Sequence, residues 1–169
     1  RDALSVISNR KLVARASLNF PGMFANHSLV IDAAWQKRDT FFADFFSRTF
    51  SQSRGYEGLS GKRMYRLGAN YHLPLFYPDW GFGNIVFFQR IRTNVFYDHG
   101  SMLYKVASAK FQEYKLRSTG AEIYFDTKVW NELPVSVGVR YSRLLDNDPA
   151  NPGASNRWEI FLPFNLIPD

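Results

Sequence analysis

The chain has 169 residues, a formal net charge of +6 and no cysteine. That length allows a single domain, and the missing cysteine excludes a disulfide framework or a thiolate metal site. Hydrophobic residues make up 46% and aromatic ones 17%. Yet no run of about 18 apolar residues supplies a transmembrane helix, and the Lys and Arg are too scattered for a nucleic-acid binder. No signal peptide opens the chain, and a start at Arg1 suggests a processed or partial chain.

Ala3 to Ser8 reads as the end of a strand entering a turn at Asn9-Arg10. Lys11 to Phe20 then alternates, with Leu12, Ala14, Ala16, Leu18 and Phe20 on one face. After a short turn from Pro21 to Asn26, Leu29, Ile31, Ala33 and Trp35 oppose Ser28, Val30, Asp32, Ala34 and Gln36. Phe41, Phe42, Phe45 and Phe46 recur at helical spacing and suggest either a short amphipathic helix, or a strand extension or loop packed on a rim.

The most regular stretch is Met64 to Tyr77. One parity reads Tyr65, Leu67, Ala69, Tyr71, Leu73 and Leu75; the other reads Met64, Arg66, Gly68, Asn70, His72 and Pro74. A period of two means a strand with unlike faces, and its length suits a tilted membrane-crossing strand of at least about 9–11 residues. A turn through Pro78-Asp79-Trp80-Gly81 leads to a strand from Asn84 to Tyr97, with Ile85, Phe87, Ile91, Val95 and Tyr97 on one parity and Arg90, Arg92, Asn94, Phe96 and Asp98 on the other.

His99 to about Lys115 reads as a long polar loop. Then Thr119, Ala121, Ile123 and Phe125 oppose Ser118, Gly120, Glu122, Tyr124 and Asp126. Past a turn at Asn131-Glu132-Leu133-Pro134, Val135, Val137, Val139 and Tyr141 oppose Ser136, Gly138, Arg140 and Ser142. Asp146 to Asn156 is loop-forming in composition. Trp158, Ile160, Leu162, Phe164 and Leu166 form the outer face of the last strand, in which Pro163 calls for an edge or a bulge.

Short turns (21–26, 78–82, 129–133) thus alternate with longer loops (37–62, 99–115, 146–156), the pattern of outer-membrane barrels. Trp35, Tyr65, Tyr97, Tyr141 and Trp158 share outward parity near the long-loop ends of their strands, as an aromatic girdle requires. Arg66, His72, Arg90, Arg92, Glu122 and Arg140 face the lumen instead. A soluble sandwich would also alternate, but it leaves the girdle unexplained and would bury these charges on one face. The expected fold is therefore all-β, a transmembrane antiparallel barrel. Roughly seven crossings are too few for closure, because single-chain bacterial barrels have even counts from about 8 upward and an open edge in lipid lacks backbone partners. The chain is expected to be the C-terminal part of a larger barrel, its other strands upstream.

Two motifs resemble those of the BamA/TamA superfamily of outer-membrane assembly and translocation barrels. Ser53-Arg54-Gly55-Tyr56 resembles its Arg-Gly-aromatic loop motif, and Phe96-Tyr97-Asp98-His99-Gly100 its Phe-x-Asp-x-Gly motif, in the expected order. Gly120-Ala121-Glu122 and Val137-Gly138-Val139-Arg140 match the style of its following strands, and the wording overall is similar to Bacteroidetes-type members. The resemblance implies the last seven strands of a barrel of about 16, in the outer membrane of a Gram-negative bacterium. It implies a loop arginine, Arg54, folded inward onto Asp98, with Gly55 and Tyr56 beside it. Asn70 stands where the family often has an acid, which would weaken this latch. It also implies a weak seam at the last strand, and assistance to the insertion or translocation of other proteins.

The alternative is a non-catalytic barrel that anchors a soluble N-terminal module or joins a larger envelope complex. Expected partners are outer-membrane lipid and lipopolysaccharide, together with client membrane proteins or complex subunits; nucleic acid is not expected. No enzyme activity is expected, because no Ser–His–Asp set falls at one height and His72 sits near the turn side. No cofactor or metal is expected either. Asp146, Asp148 and Asn151 have oxygens suited to calcium, but read better as a solvated turn.

Overall fold

The computed structural model describes residues 11–38, 52–56, 61–83, 85–107, 110–130 and 132–162. They form one antiparallel sheet of eight strands: β1 (Lys11–Pro21), β2 (Ser28–Arg38), β3 (Arg63–Phe76), β4 (Trp80–Phe82), β5 (Val86–Ala107), β6 (Lys110–Val129), β7 (Leu133–Leu144) and β8 (Asn156–Phe161). The order is β1-β2-β3-β5-β6-β7-β8, with the short β4 paired to β5. Each long strand therefore pairs with its neighbours in sequence, as expected of a meander with short connections. No helix occurs among the described residues, and the sheet is not closed: β1 and β8 are its two ends. The stub at Ala3–Ser8, the phenylalanines 41–46 and Pro163 lie outside the described residues.

The alternation of the sequence becomes an inversion of ordinary burial. On one face Leu67, Val95 and Ile123 are 49%, 50% and 40% exposed; on the other Asp98, Asn94 and Glu122 are 0%, 1% and 2% exposed. The only apolar core cluster among the described residues, Tyr56, Met64, Met102, Leu116 and Leu144, lies on the polar face at its loop end.

The structure corrects the reading of 99–115 as a loop. β5 and β6 stay paired as far as Ala107 and Lys110, so this segment is a tall hairpin. Above the girdle the outward positions turn polar while the inward ones include the buried Met102 and Leu116, so the apolar-out alternation fades although the ladder continues. Besides a shift near the hairpin tip, between Lys105 and Ala107, two register shifts alter parity nearer the turns. One lies between Pro74 and Phe76, and the other between Phe88 and Arg90. The second sets Phe88, not Phe87, beside Thr127 on the outward face, because an extra residue in one strand reverses the sides of those beyond it. The turn at 78–82 holds the strand β4, whose Trp80 stacks on Phe88 at 6.0 Å. Phe76, Tyr77, Trp80, Phe82 and Trp130 are all exposed at this end, a second aromatic belt that the sequence reading passed over.

The girdle follows a slanted line. Trp35 pairs with Tyr65, and Tyr141 with Trp158, but Tyr97 lies four residues below the partner of Tyr65, and Tyr141 two below the partner of Thr119. The line falls six residues over five strand spacings. At about 3.3 Å per residue and about 4.8 Å between strands, it is inclined by about 40° to the ladder.

Candidate functional site

Residues 52–56 lie across the polar face as a strap. Gly55 has φ +85°, a left-handed conformation that a side chain resists, and the Tyr56 N–H donates back to the Ser53 carbonyl at 3.2 Å. This tight turn aims Arg54 at the wall. Its backbone N–H and Nε donate to Asp98 Oδ2, both at 2.9 Å, and Nη2 donates to Asp98 Oδ1 at 3.0 Å. Nη2 also donates to Asn70 Oδ1 at 2.6 Å, and Nη1 reaches Glu122 Oε1 at 3.3 Å. The guanidinium lies 3.6 Å from the centre of the Phe96 ring, where a desolvated cation–π contact adds to the ion pair. Asn70 thus serves as a direct acceptor for Arg54.

The network continues sideways along this face. Asn70 Nδ2 donates to Asp32, which also accepts from Ser17. Arg66 pairs with Asp98 at 2.9 Å. Asn94 donates to both Asn70 and Glu122, and Glu122 accepts from Tyr124 and from Arg140, which also reaches Glu159. Seven strands, from Ser17 on β1 to Glu159 on β8, are joined in this way. A second tier nearer the turns has Arg90 and Arg92 donating to Asp126, with Ser136 on its other oxygen. Counting both tiers, Arg54, Arg66, Arg90, Arg92 and Arg140 pair with Asp98, Glu122, Asp126 and Glu159, while Asp32 is held by the neutral donors Ser17 and Asn70. Buried carboxylates need such complete pairing.

His72 shares this face, in register with Ser28 and Asn94, but no hydrogen bond among the described residues joins it to a hydroxyl or carboxylate. The girdle residues Trp35, Tyr65, Tyr97, Tyr141 and Trp158 are on the opposite, exposed side, Tyr141 and Trp158 with ring centres 4.8 Å apart.

Two features of the site were missed in the sequence. The first is a clamp at the far end of the strap. The Tyr56 hydroxyl lies 2.9 Å from the carbonyl oxygens of Arg117 and Asp146, and accepts from the Asp146 N–H at 3.2 Å. Asp146 in turn accepts from the Arg117 backbone N–H and from two of its guanidinium nitrogens. Burial pushes the Tyr56 hydroxyl up to about 12, so it stays protonated. The Arg117 hydrogen bonds hold Asp146 below the ordinary carboxylate value. The second is a trough of small residues that gives the strap room. A Cβ on Gly100 would lie 2.6 Å from Ser53 Oγ, and one on Gly68 2.8 Å from Asp98 Oδ1. The signal was present, since Gly68, Gly100, Gly120 and Ser142 all have inward parity, but it has no meaning until the strap is placed over them.

Two of the three calcium candidates, Asp146 and Asp148, are otherwise engaged. Asp148 accepts from the Ala150 N–H and faces Arg157, and Asp146 serves Arg117. No group of three or more His, Asp or Glu suited to a metal occurs among the described residues. Comparisons with protein-family models, with curated proteins and with solved structures find no match, so the family resemblance rests on the motifs themselves.

Proposed function

We propose that this chain forms part of the wall of an outer-membrane β-barrel of the BamA/TamA type, which assists the insertion or translocation of other proteins, and that residues 52–56 are a strap folded into its lumen. The observation that carries the membrane part is the inversion of burial: a continuous apolar face stands exposed while paired carboxylates are buried opposite it. In water so large an apolar face is a liability; in lipid it is the stable surface, and the polar side lines the lumen. The geometry agrees in two respects. The girdle slopes at about 40°, within the strand tilt of about 35–45° found in such barrels. Tyr65 and Phe76, one from each aromatic belt, are eleven positions apart, which at about 3.3 Å per residue and that tilt gives a band about 25–28 Å tall, near the expected 25 Å or so. Further strands would then close the edges at β1 and β8, as lipid demands.

The assembly role rests on the motif resemblance together with the inward strap. Depleting the protein in cells and measuring the abundance of other outer-membrane barrels tests it. A general fall in those barrels is expected. Unchanged barrels, with loss of one envelope complex instead, would favour the second reading, an anchor for a soluble module or a complex subunit. The closely pinned strap, with four side-chain or ring partners for Arg54 alone, suits that static role too.

A further inference from the structure

One outward step above the aromatic girdle, on the long-loop side, the strands present a series of basic side chains. Lys37 follows Trp35 on β2, Arg63 precedes Tyr65 on β3, and His99 follows Tyr97 on β5. Arg117 precedes Thr119 on β6, and Arg143 follows Tyr141 on β7. Five neighbouring strands thus place Lys, Arg or His at this level, and none places a carboxylate there. β8 contributes the neutral Asn156. One step above Arg117 stands the exposed Lys115, within electrostatic reach of Asp146, and one step beyond it the exposed Glu113, which accepts from Ser101.

Most of these basic groups have no ion-pair partner among the described residues. Arg117 is engaged by Asp146. No carboxylate of the described residues pairs with Lys37, Arg63, Lys115 or Arg143. Lys37 and Arg63 also sit directly opposite each other in the β2–β3 ladder, where like charges repel and weaken the pairing. An anion from outside would reverse that repulsion. The turn end has no such series: the charges beside its aromatic belt are Asp79, Lys128 and Glu132, of mixed sign.

We propose that Lys37, Arg63, His99 and Arg143, with Lys115 above them, form a belt that binds phosphorylated headgroups of the lipid leaflet on the long-loop side. This inference rests on the membrane-wall reading above. Interfacial aromatic rings lie at the headgroup boundary. Two residues further along a strand inclined at about 40° is a rise of about 5 Å, which brings the belt to the depth of the phosphates. The Arg fork then matches phosphate oxygens two at a time.

The test reconstitutes the intact protein into phosphatidylcholine vesicles containing a minor amount of either phosphorylated lipid A or the same lipid with its phosphates removed. Lipid retained on the protein is counted by native mass spectrometry. Phosphorylated lipid A should be retained in preference, and inorganic phosphate should not displace it. The K37Q/R63Q/R143Q variant should lose roughly a hundredfold in affinity, about fivefold for each cation, whereas K128Q at the turn end should not change. If the triple variant fails to insert, R143Q alone should still lose about fivefold. Equal retention of the dephosphorylated lipid, or full retention by the triple variant, overturns the belt. Protease protection of the strands in pure phosphatidylcholine tests the membrane reading separately, and failure to insert into any vesicle overturns both.

Discussion

Arg54 meets Asp98 through three separate N–H donors: its backbone at 2.9 Å, Nε at 2.9 Å and Nη2 at 3.0 Å. The two residues are 44 positions apart in sequence, and the carboxylate is fully buried. Removing one partner of such a pair leaves the other charged and dry, a cost of about 3–5 kcal/mol. Arg66 still pairs with Asp98, so Arg54→Ala should cost about 3 kcal/mol, the low end of that range. The strap should also lift, seen as faster protease cleavage within residues 37–62. Arg54→Lys keeps the charge but loses the fork, and should rescue protection only in part. Unchanged cleavage in Arg54→Ala would mean that the strap is held elsewhere.

The other end of the strap gives a separate prediction. Tyr56→Phe removes only the hydroxyl that lies between Arg117 and Asp146. The Arg117 carbonyl keeps the Leu145 N–H, at 2.9 Å, but the Asp146 N–H and carbonyl lose their hydroxyl partner; the loss should cost about 1–2 kcal/mol, read as a lower midpoint of thermal unfolding in detergent. The clamp should also respond to acid. Asp146 has a folded-state value below the ordinary 3.8, chiefly because Arg117 donates to it. A depressed carboxylate contributes stability that is fully present above its unfolded value and is lost as pH falls through its folded value. Protection of the loop at 145–155 should therefore hold at neutral pH and decline below about pH 4, near the unfolded value of an aspartate. Asp146→Asn should remove that acid step. A step that persists in the variant would assign it to another carboxylate.

Which parts of this were legible in the sequence follows from where the two faces of a strand see different surroundings. Between the belts one face is apolar and the other charged, so Tyr65 to Leu75 alternates and can be read directly. Above the girdle the contrast fades, and 99–115 looked like loop although Ser101 pairs with Lys115 in a continuous ladder. Parity also fails past a bulge: Gln89 interrupts the pattern, and nothing local says that Phe88 rather than Phe87 turns outward. The site was legible only through its motifs. Arg54 and Asp98 were named because two short patterns occur in order, whereas Arg117, Asp146 and the trough beneath the strap have no motif. They become visible once strands distant in sequence are side by side.

The trough supplies a prediction of its own. A Cβ on Gly120 would run into the Tyr141 carbonyl oxygen and would lie 2.9 Å from the Phe96 ring. The first obstacle is backbone, which cannot turn aside as a side chain can. Gly120→Ala should therefore disturb the β6–β7 pairing around Ser142 and shift the ring on which Arg54 rests, by about 1–3 kcal/mol as for other overpacked sites. Ala121→Gly, its neighbour on the opposite face of the sheet, should cost less than about 1 kcal/mol. Comparing the two thermal midpoints tests whether the glycine is there for space. Equal effects would mean that it is not.

The last prediction separates a membrane wall from a soluble sheet. Ile123 lies on the apolar face of β6, 40% exposed, four residues below Thr119 on the girdle line and six above Val129 at the turn, so it sits near the middle of the band. A lysine there must hold its charge in hydrocarbon, at a cost of about 2–4 kcal/mol at the midplane that falls to about 0–1 near the interfaces. Ile123→Lys should therefore fold into vesicles much less completely than the parent, while Thr119→Lys at the belt should fold almost as well. Val137 lies close to the same depth, paired with Phe125, and Val137→Lys should resemble Ile123→Lys. In a soluble sheet the order would reverse or vanish, because a lysine replacing an exposed isoleucine meets only water. A depth-dependent penalty across these three variants is the result that lipid alone can produce.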